Sequence, residues 1–566
     1  MNQKVLGIIF ISISIITFYY LINTTMNDVD SLLINGRAYT FDAGNNIAEA
    51  IAIRGDRIVG IGSTYEMMKR YSTKNVVDLQ GKTVLPGFID AHAHLLGEGG
   101  KLATLDLVGT SSAEQIISLV EKRVGESSEG QWIIGRGWDQ NDWAVKQFPD
   151  RSLLDRVAQN NPVSLRRIDG HALWVNSKTL ALANITTDTK DPFGGKIHRD
   201  EKGNPTGILI DNAMDLVGNV MSDITSEEIE ERLKLALEEC ARLGLTEVHD
   251  MGVDLETIEI YKKIIDSGQC PIRVYAAIGD HEKTLKHYLQ HGKEIGYGNG
   301  LLTVRAVKLY IDGALGSRGA ALIDEYLDDP GNRGLTVMSE SQIESICNQA
   351  LEKGFQVCSH AIGDRGNNIA LNSYEKILTT LSKNRESPRW RIEHVQVLLP
   401  ADIARFKQLG ILPSMQPTHA TSDMYWAESR IGSDRIKSAY SWRSLLQTGS
   451  IIISGSDFPV EGVNPLWGFY AAITRSDQTG YPQDGWYPDQ KMTREEAVRS
   501  FTQWAAYGAF EEHLKGTIEV GKWADLTILS KDIMQIPPSE ILTTEVEMTI
   551  VGGKFVYQKP VVPVPQ

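Results

Sequence analysis

Five side chains able to hold a cation lie far apart in the chain: His92 and His94 in GFIDAHAH, His360 in VCSHAIGD, His394 in RIEHV and Asp457 in ISGSD. Each ends a short run of β-forming residues. Residues two apart in a strand share a face, so the imidazoles of His92 and His94 can meet one ion. Imidazole plus carboxylate suits Zn2+, and a catalytic zinc keeps one position open to water. A lone histidine at a strand tip is most simply a hydrogen-bonded core residue. Five strand ends in agreement make that reading poor for the set, because barrel active sites are built at the C-terminal ends of parallel strands.

Lys308, in AVKLYIDG, shares a strand face with Tyr310 and Asp312. A lysine aimed into a barrel must find a partner or lose its charge. The strand pattern alone favours a salt bridge to Asp312 or another inward carboxylate. The alternative is a carbamate formed with carbon dioxide, whose two oxygens can bridge two cations. Other polar residues carry weaker expectations. His171 in RRIDGHALW either reaches into the pocket or is structural, and Trp132, Trp138 and Trp143 are pocket walls or packing. Arg318 in GSRGA either grips a substrate carboxylate bidentately or pins its own loop. His249 in TEVHD falls on a second barrel strand, behind the ligands.

These residues need elements to carry them. TVLPGFID, LTEVHD, IRVYAAI, VRAVKLYID, FQVCSH, WRIEHV, ILPSMQ and IIISGSD read as strands, alternating with helical runs such as SEEIEERLKLALEECARLG. That rhythm is the mark of βαβ units, and eight of them predict a (β/α)8 TIM-like barrel of the α/β class. One connection is far too long: from about 95 to 225 the chain leaves the barrel, in an insertion holding WIIGRGWDQNDW and PVSLRRIDGHALWVNS. Such insertions usually shape a substrate pocket. Both chain ends are β-rich, with turns at Asn35-Gly36, Gly55-Asp56 and Gly552-Gly553, which predicts one small β-domain closed by both termini.

Composition excludes several classes. Hydrophobic residues at 42% and charged residues at 23% describe an ordinary globular chain. Lys plus Arg at 57 against Asp plus Glu at 72 leaves a net charge of -15, without the basic footprint that nucleic acid requires. Four cysteines are too few for a disulfide scaffold and read most simply as buried thiols. Val5–Ile22 carries no charge and follows Lys4. It is long enough either for a short membrane anchor or for a secretory signal. Lys4 inside sends the rest outside, so an extracytoplasmic body (periplasmic or secreted) is expected.

VLPGFIDAHAH, AVKLYIDGALGSRGA, VCSHAIGDRGN, RIEHVQ and SGSDFPV, in that order, resemble the amidohydrolase superfamily. The closer likeness is to its family 3 branch, which resembles N-substituted formamide deformylases. PVSLRRIDGHALWVNS, GNPTGIL and GKWADLTILS belong to the same likeness, which covers nearly everything after residue 30. It implies a barrel flanked by a β-sandwich of both termini: an anchor or signal over 1–29, sandwich strands in 30–83 and 515–566, and the barrel in 84–514. It further implies one or two divalent ions, with His92 and His94 on the more buried one and His360 and His394 on the second. Lys308 would bridge them as a carboxylated lysine, while Asp457 would complete the site and handle the proton. The implied activity is hydrolysis of a small amide or formamide by a metal-activated hydroxide. Two alternatives remain at this point: a mononuclear deaminase or cyclic-amide hydrolase, with Asp364 as its acid, and a catalytically inactive, membrane-tethered binding protein. A homodimer is kept open.

Overall fold

Eight parallel strands follow one another around a ring: β1 (Phe88–Ala93), β2 (Leu245–Val253), β3 (Arg273–Ile278), β4 (Leu302–Tyr310), β5 (Gln356–Ala361), β6 (Arg391–His394), β7 (Leu412–Met415) and β8 (Ile453–Ser454). The computed structural model describes residues 26–140, 143–167, 172–192, 195–221, 224–316, 318–380 and 387–560. Residues 1–25, where the anchor or signal is expected, lie outside this set. Among the described residues no helix is long and apolar enough to cross a membrane.

The strands are buried on both faces, as a barrel wall covered by helices must be. Helices start where side chains can take up their free N–H groups. After β2, Asp254 accepts from the Thr257 N–H at 2.8 Å and opens the helix Leu255–Asp266. Before β5, Ser339 and Gln342 form a reciprocal cap on Glu340–Lys353, and Gly354, in the left-handed region, ends it.

The ring is completed beyond the short β8. The Asp457 N–H donates to the His92 carbonyl at 2.7 Å, and the Asp90 carboxylate accepts the Ser456 N–H at 3.0 Å and its hydroxyl at 2.6 Å. Gly455 lies so close to β1 that a Cβ there would stand 2.5 Å from the His92 nitrogen and 2.6 Å from Asp90 Oδ1. The closure that aims Asp457 therefore depends on a residue without a side chain.

Both chain ends build two sheets beside the barrel. One runs in the order Arg57–Gly62, Ala50–Arg54, Ser31–Ile34 and Val76–Asp78. The other interleaves the termini: Lys554–Gln558, Val546–Val551, Leu526–Leu529, Thr83–Pro86, Arg37–Tyr39 and Ile47–Ala48. Leu33, Ile51, Ile53, Val84, Leu526 and Ile528 pack between them. The run TVLPGFID is thus two strands, divided at Gly87: Thr83–Pro86 joins the sandwich and Phe88–Ala93 begins the barrel. All four cysteines are buried and free.

Leu96–Ala236 forms a separate compact unit. Its six-stranded sheet runs Leu105–Asp106, Ile133–Trp138, Val163–Arg167, Ala172–Val175, Pro205–Asp211 and Gly195–Arg199. Trp138 is wholly buried in its core with Trp143 and Trp174, and the indole N–H of Trp138 donates to the Leu165 carbonyl at 2.8 Å. Trp138 was a candidate for substrate binding; its surface is spent inside this unit, so that expectation is corrected.

Replacing Gly455 by alanine should overpack the barrel seam against backbone, at a cost of about 1–3 kcal/mol. Gly125→Ala, on an open helix face with nothing within 4 Å, should be neutral or stabilising. Urea midpoints of the two variants test this, and equal midpoints would count against the seam.

Candidate metal centre

Imidazoles gather at the C-terminal mouth of the barrel. The His92 ring lies 5.6 Å from that of His94 and 4.7 Å from that of His394, and the His394 ring lies 4.5 Å from that of His360. Asp457 reaches in from the segment after β8, its Oδ1 3.5 Å from His92 Nε2 and 3.2 Å from His94 Nε2. The ligand atoms of His92, His94 and Asp457 lie within 4.8 Å of one another, as do those of His394, His419 and Asp457.

The tautomers follow from the partners. His94 Nδ1 sits 2.9 Å from the Met251 carbonyl, which can only accept, so Nδ1 carries the proton and Nε2 is bare. His92 Nδ1 donates to Glu393 Oε2 at 2.6 Å, and His394 Nδ1 donates to Gln416 Oε1 at 2.8 Å. Three lone pairs are thereby left at Nε2. Metal-ligating histidines are typically held this way, through the far nitrogen. Burial pushes His92 down to about 4 and His394 well below the usual imidazole range, so both stay neutral and able to donate.

Charge is balanced behind the rings. Glu393 is fully buried, and burial opposes its ionisation, but Arg391 and His92 outweigh that and hold its carboxyl below the usual range. Arg391 Nη2 donates to Glu393 Oε2, to the Ala91 carbonyl and, at 2.9 Å, to Ser414 Oγ. Its Nη1 donates to His249 Nδ1 at 3.0 Å, and His249 Nε2 in turn donates to Glu247 at 3.1 Å. Burial likewise works against the Asp457 carboxylate, yet His94, His92, His394 and His419 keep it ionised, well below its usual pKa.

Lys308 does not pair with Asp312. That carboxylate accepts the backbone N–H groups of Ala321, Ile362 and Gly363 instead. Lys308 Nζ lies 3.2 Å from His92 Nε2, and burial lowers its pKa against the pull of Glu393 and Asp457. His360 Nε2 is buried without a hydrogen-bond partner, 3.6 Å from Asp312 Oδ1. Asp364 Oδ1 is occupied by the N–H groups of Ile323 and Arg365, so the acid expected of a deaminase is a loop-binding residue here. Arg318 forms a bidentate pair with Asp328 at 3.0 and 3.2 Å, which corrects its assignment as a substrate carboxylate grip: the fork is used to pin the loop. His171 lies outside the described residues. Sequence reading missed Glu393 and His419. A usable signal for His419 is its place just past the tip of β7, a strand that supplies no ligand of its own.

A divalent cation fits this donor set, because the bare Nε2 atoms of His92, His94 and His394 converge on the Asp457 carboxylate. Residues 75–557 match the family model described as "Amidohydrolase family". The chain belongs to the amidohydrolase family. YtcJ of Bacillus subtilis (strain 168) is 32% identical over 93% of this amidohydrolase and 98% of its own length. An N-substituted formamide deformylase of Arthrobacter pascens is 28% identical over 94% of this chain and 98% of that one. Among solved structures, an uncharacterized metal-dependent hydrolase from Pyrococcus furiosus superposes with a TM-score of 0.71 at 28% identity, covering 89% of this amidohydrolase and 100% of the other chain.

Glu393→Gln tests the support behind His92. It strands Arg391 without a counter-charge, so stability should fall by about 3–5 kcal/mol. Metal affinity, read by chelator competition, should drop about 10–100-fold. Since the folded-state pKa of Glu393 lies below its unfolded value near ~4.3, its stabilisation is complete above that pH and is lost as pH falls towards the folded value. The variant should therefore show a flatter acid limb in urea unfolding than the parent.

Proposed function

We propose that this chain hydrolyses a non-peptide carbon–nitrogen bond of a small acyl substrate, an amide or N-substituted formamide, with one or two divalent ions of the Zn2+ type. The observation that carries the reading is the meeting of His92 Nε2, His94 Nε2 and Asp457 Oδ1 at one place in the barrel mouth. The substrate class is supported by the likeness to the Arthrobacter deformylase along nearly the whole of both chains.

His92, His94 and Asp457 would hold one ion; His394, with His360 or Lys308, would serve a second. When bound, such an ion acts as a Lewis acid on a carbonyl and lowers the pKa of water to ~7. Burial favours the neutral amine of Lys308, the form that reacts with carbon dioxide to give a carbamate. Asp457 is the proton carrier. Its Oδ1 is the oxygen turned towards His92 and His94, which leaves Oδ2 to accept a proton from attacking water and pass it to the departing nitrogen. That delivery matters because an amine leaves poorly as its anion. A location outside the cytoplasm is part of the proposal, resting on the uncharged run Val5–Ile22 after Lys4.

Asp457→Asn should lower kcat by about 10²–10⁴-fold on whichever N-substituted formamide or acetamide the parent cleaves. Released amine and bound metal are measured together. Hydrolysis near the parental rate would remove Asp457 from proton transfer, and a parent that cleaves no member of the panel would overturn the substrate class.

A further inference from the structure

His419 lies in the first turn of the helix Pro417–Asp423, just beyond β7, with its ring stacked on that of His394 at 5.8 Å and 18°. Its Nδ1 is 3.2 Å from Gln396 Nε2. An amide nitrogen only donates, so Nδ1 holds the lone pair and Nε2 carries the proton. This is the opposite of His92, His94 and His394, whose Nδ1 atoms are spent as donors to Glu393, Met251 and Gln416. Those three imidazoles thus present lone pairs to the site, whereas His419 presents a hydrogen.

That hydrogen has no acceptor. His419 Nε2 is buried and makes no hydrogen bond; the carboxylate oxygen Asp457 Oδ2 stands 3.6 Å away. Distance alone would let His419 join His394 and Asp457 around a cation. The Gln396 contact argues against it, because a protonated ring nitrogen cannot be a ligand. Buried donors are rarely left unpaired in folded proteins, and those at functional sites are commonly completed by what binds there.

We propose that His419 Nε2–H is the donor to the carbonyl oxygen of the acyl substrate, strongest when that oxygen gains negative charge during attack. Gln396 is its positioning residue and sets the tautomer. The proposal rests on the reading of the site as an acyl carbon–nitrogen hydrolase and assigns that hydrolase its oxyanion contact. Donors fixed in advance, in a place closed to water, are the form in which such stabilisation is largest.

The test uses the full-length, metal-loaded protein and the variants His419→Ala and Gln396→Glu. A glutamate at 396 accepts rather than donates, so it should move the imidazole proton to Nδ1 and empty Nε2 of its hydrogen. Side-chain nitrogen NMR of 15N-histidine-labelled protein reads the tautomer, elemental analysis reads metal per chain, and steady-state kinetics read kcat and KM. The expected result is an Nε2-protonated His419 in the parent, switched in Gln396→Glu. Metal content should be unchanged in both variants, and kcat should be lower by about 10²–10³-fold with little change in KM. Metal lost in step with activity in His419→Ala would make the residue a ligand and overturn the proposal. So would a parent protonated at Nδ1, or a kcat in His419→Ala within about twofold of the parent. A parent inactive on every amide would instead overturn the reading of the reaction, while the NMR and metal measurements still decide whether His419 is a donor.

Discussion

The buried contact between Glu393 and His92, 2.6 Å long and anchored by Arg391, is the constraint on which the centre depends. A carboxylate in the middle of a barrel has no water to hold its charge, and burying it alone would drive it to the neutral acid. Arg391 prevents that, and its two Nη atoms are themselves held by Ala91, Ser414 and His249. An ionised Glu393 can only accept, so the His92 proton is fixed on Nδ1 and the lone pair faces Lys308 and Asp457. One arginine, two positions before the acid on the same short strand, thereby decides what a histidine on the opposite side of the seam can bind.

The same logic continues down the barrel. His249 passes from Arg391 to Glu247, and Glu247 meets Lys515, which also meets Glu511. Lys515 and Glu511 arrive from the segment that follows the last barrel helix. Burial moves the pKa of Lys515 down and that of Glu511 up, and the contact of Lys515 with both Glu511 and Glu247 is what lets them lie beneath the centre. A few residues on, Asp525 takes Arg273 of β3 at 2.8 and 3.0 Å and accepts the Gly552 N–H. The C-terminal end of the chain is therefore more than a flanking sheet: it supplies the counter-charges that let polar side chains occupy the interior.

Much of this was legible because strands alternate. His92, His94, His360, His394 and Asp457 were readable as strand tips, and all five stand together. The eight strands and the shared origin of the sandwich were readable from turn residues and short β runs at both ends. The period that exposed His92 and His94 also hid Glu393, since neighbours in a regular strand face opposite ways. His419 was invisible for a different reason: it sits on a helix after β7, where no strand pattern marks it. Trp138 shows the reverse error, because an aromatic in a long insertion looks like a pocket wall until the insertion proves to have a core of its own.

The hidden pair returns to backbone geometry. His394 has φ of +75° and Asp457 of +63°, a region that costs a residue with a Cβ about 1–3 kcal/mol and that persists where surrounding contacts enforce it. At His394 the twist breaks the alternation, so that Glu393 and His394, consecutive in sequence, both address the same cluster. One gives a carboxylate to the far side of His92; the next offers a lone pair beside it. At Asp457 the twist turns the carboxylate inward just where the Asp457 N–H closes the seam onto the His92 carbonyl. The bond that seals the barrel and the side chain that completes the centre thus belong to one strained residue. Gly455 two positions earlier leaves room for both, and any slackening of that seam would carry Asp457 away from the histidines with it.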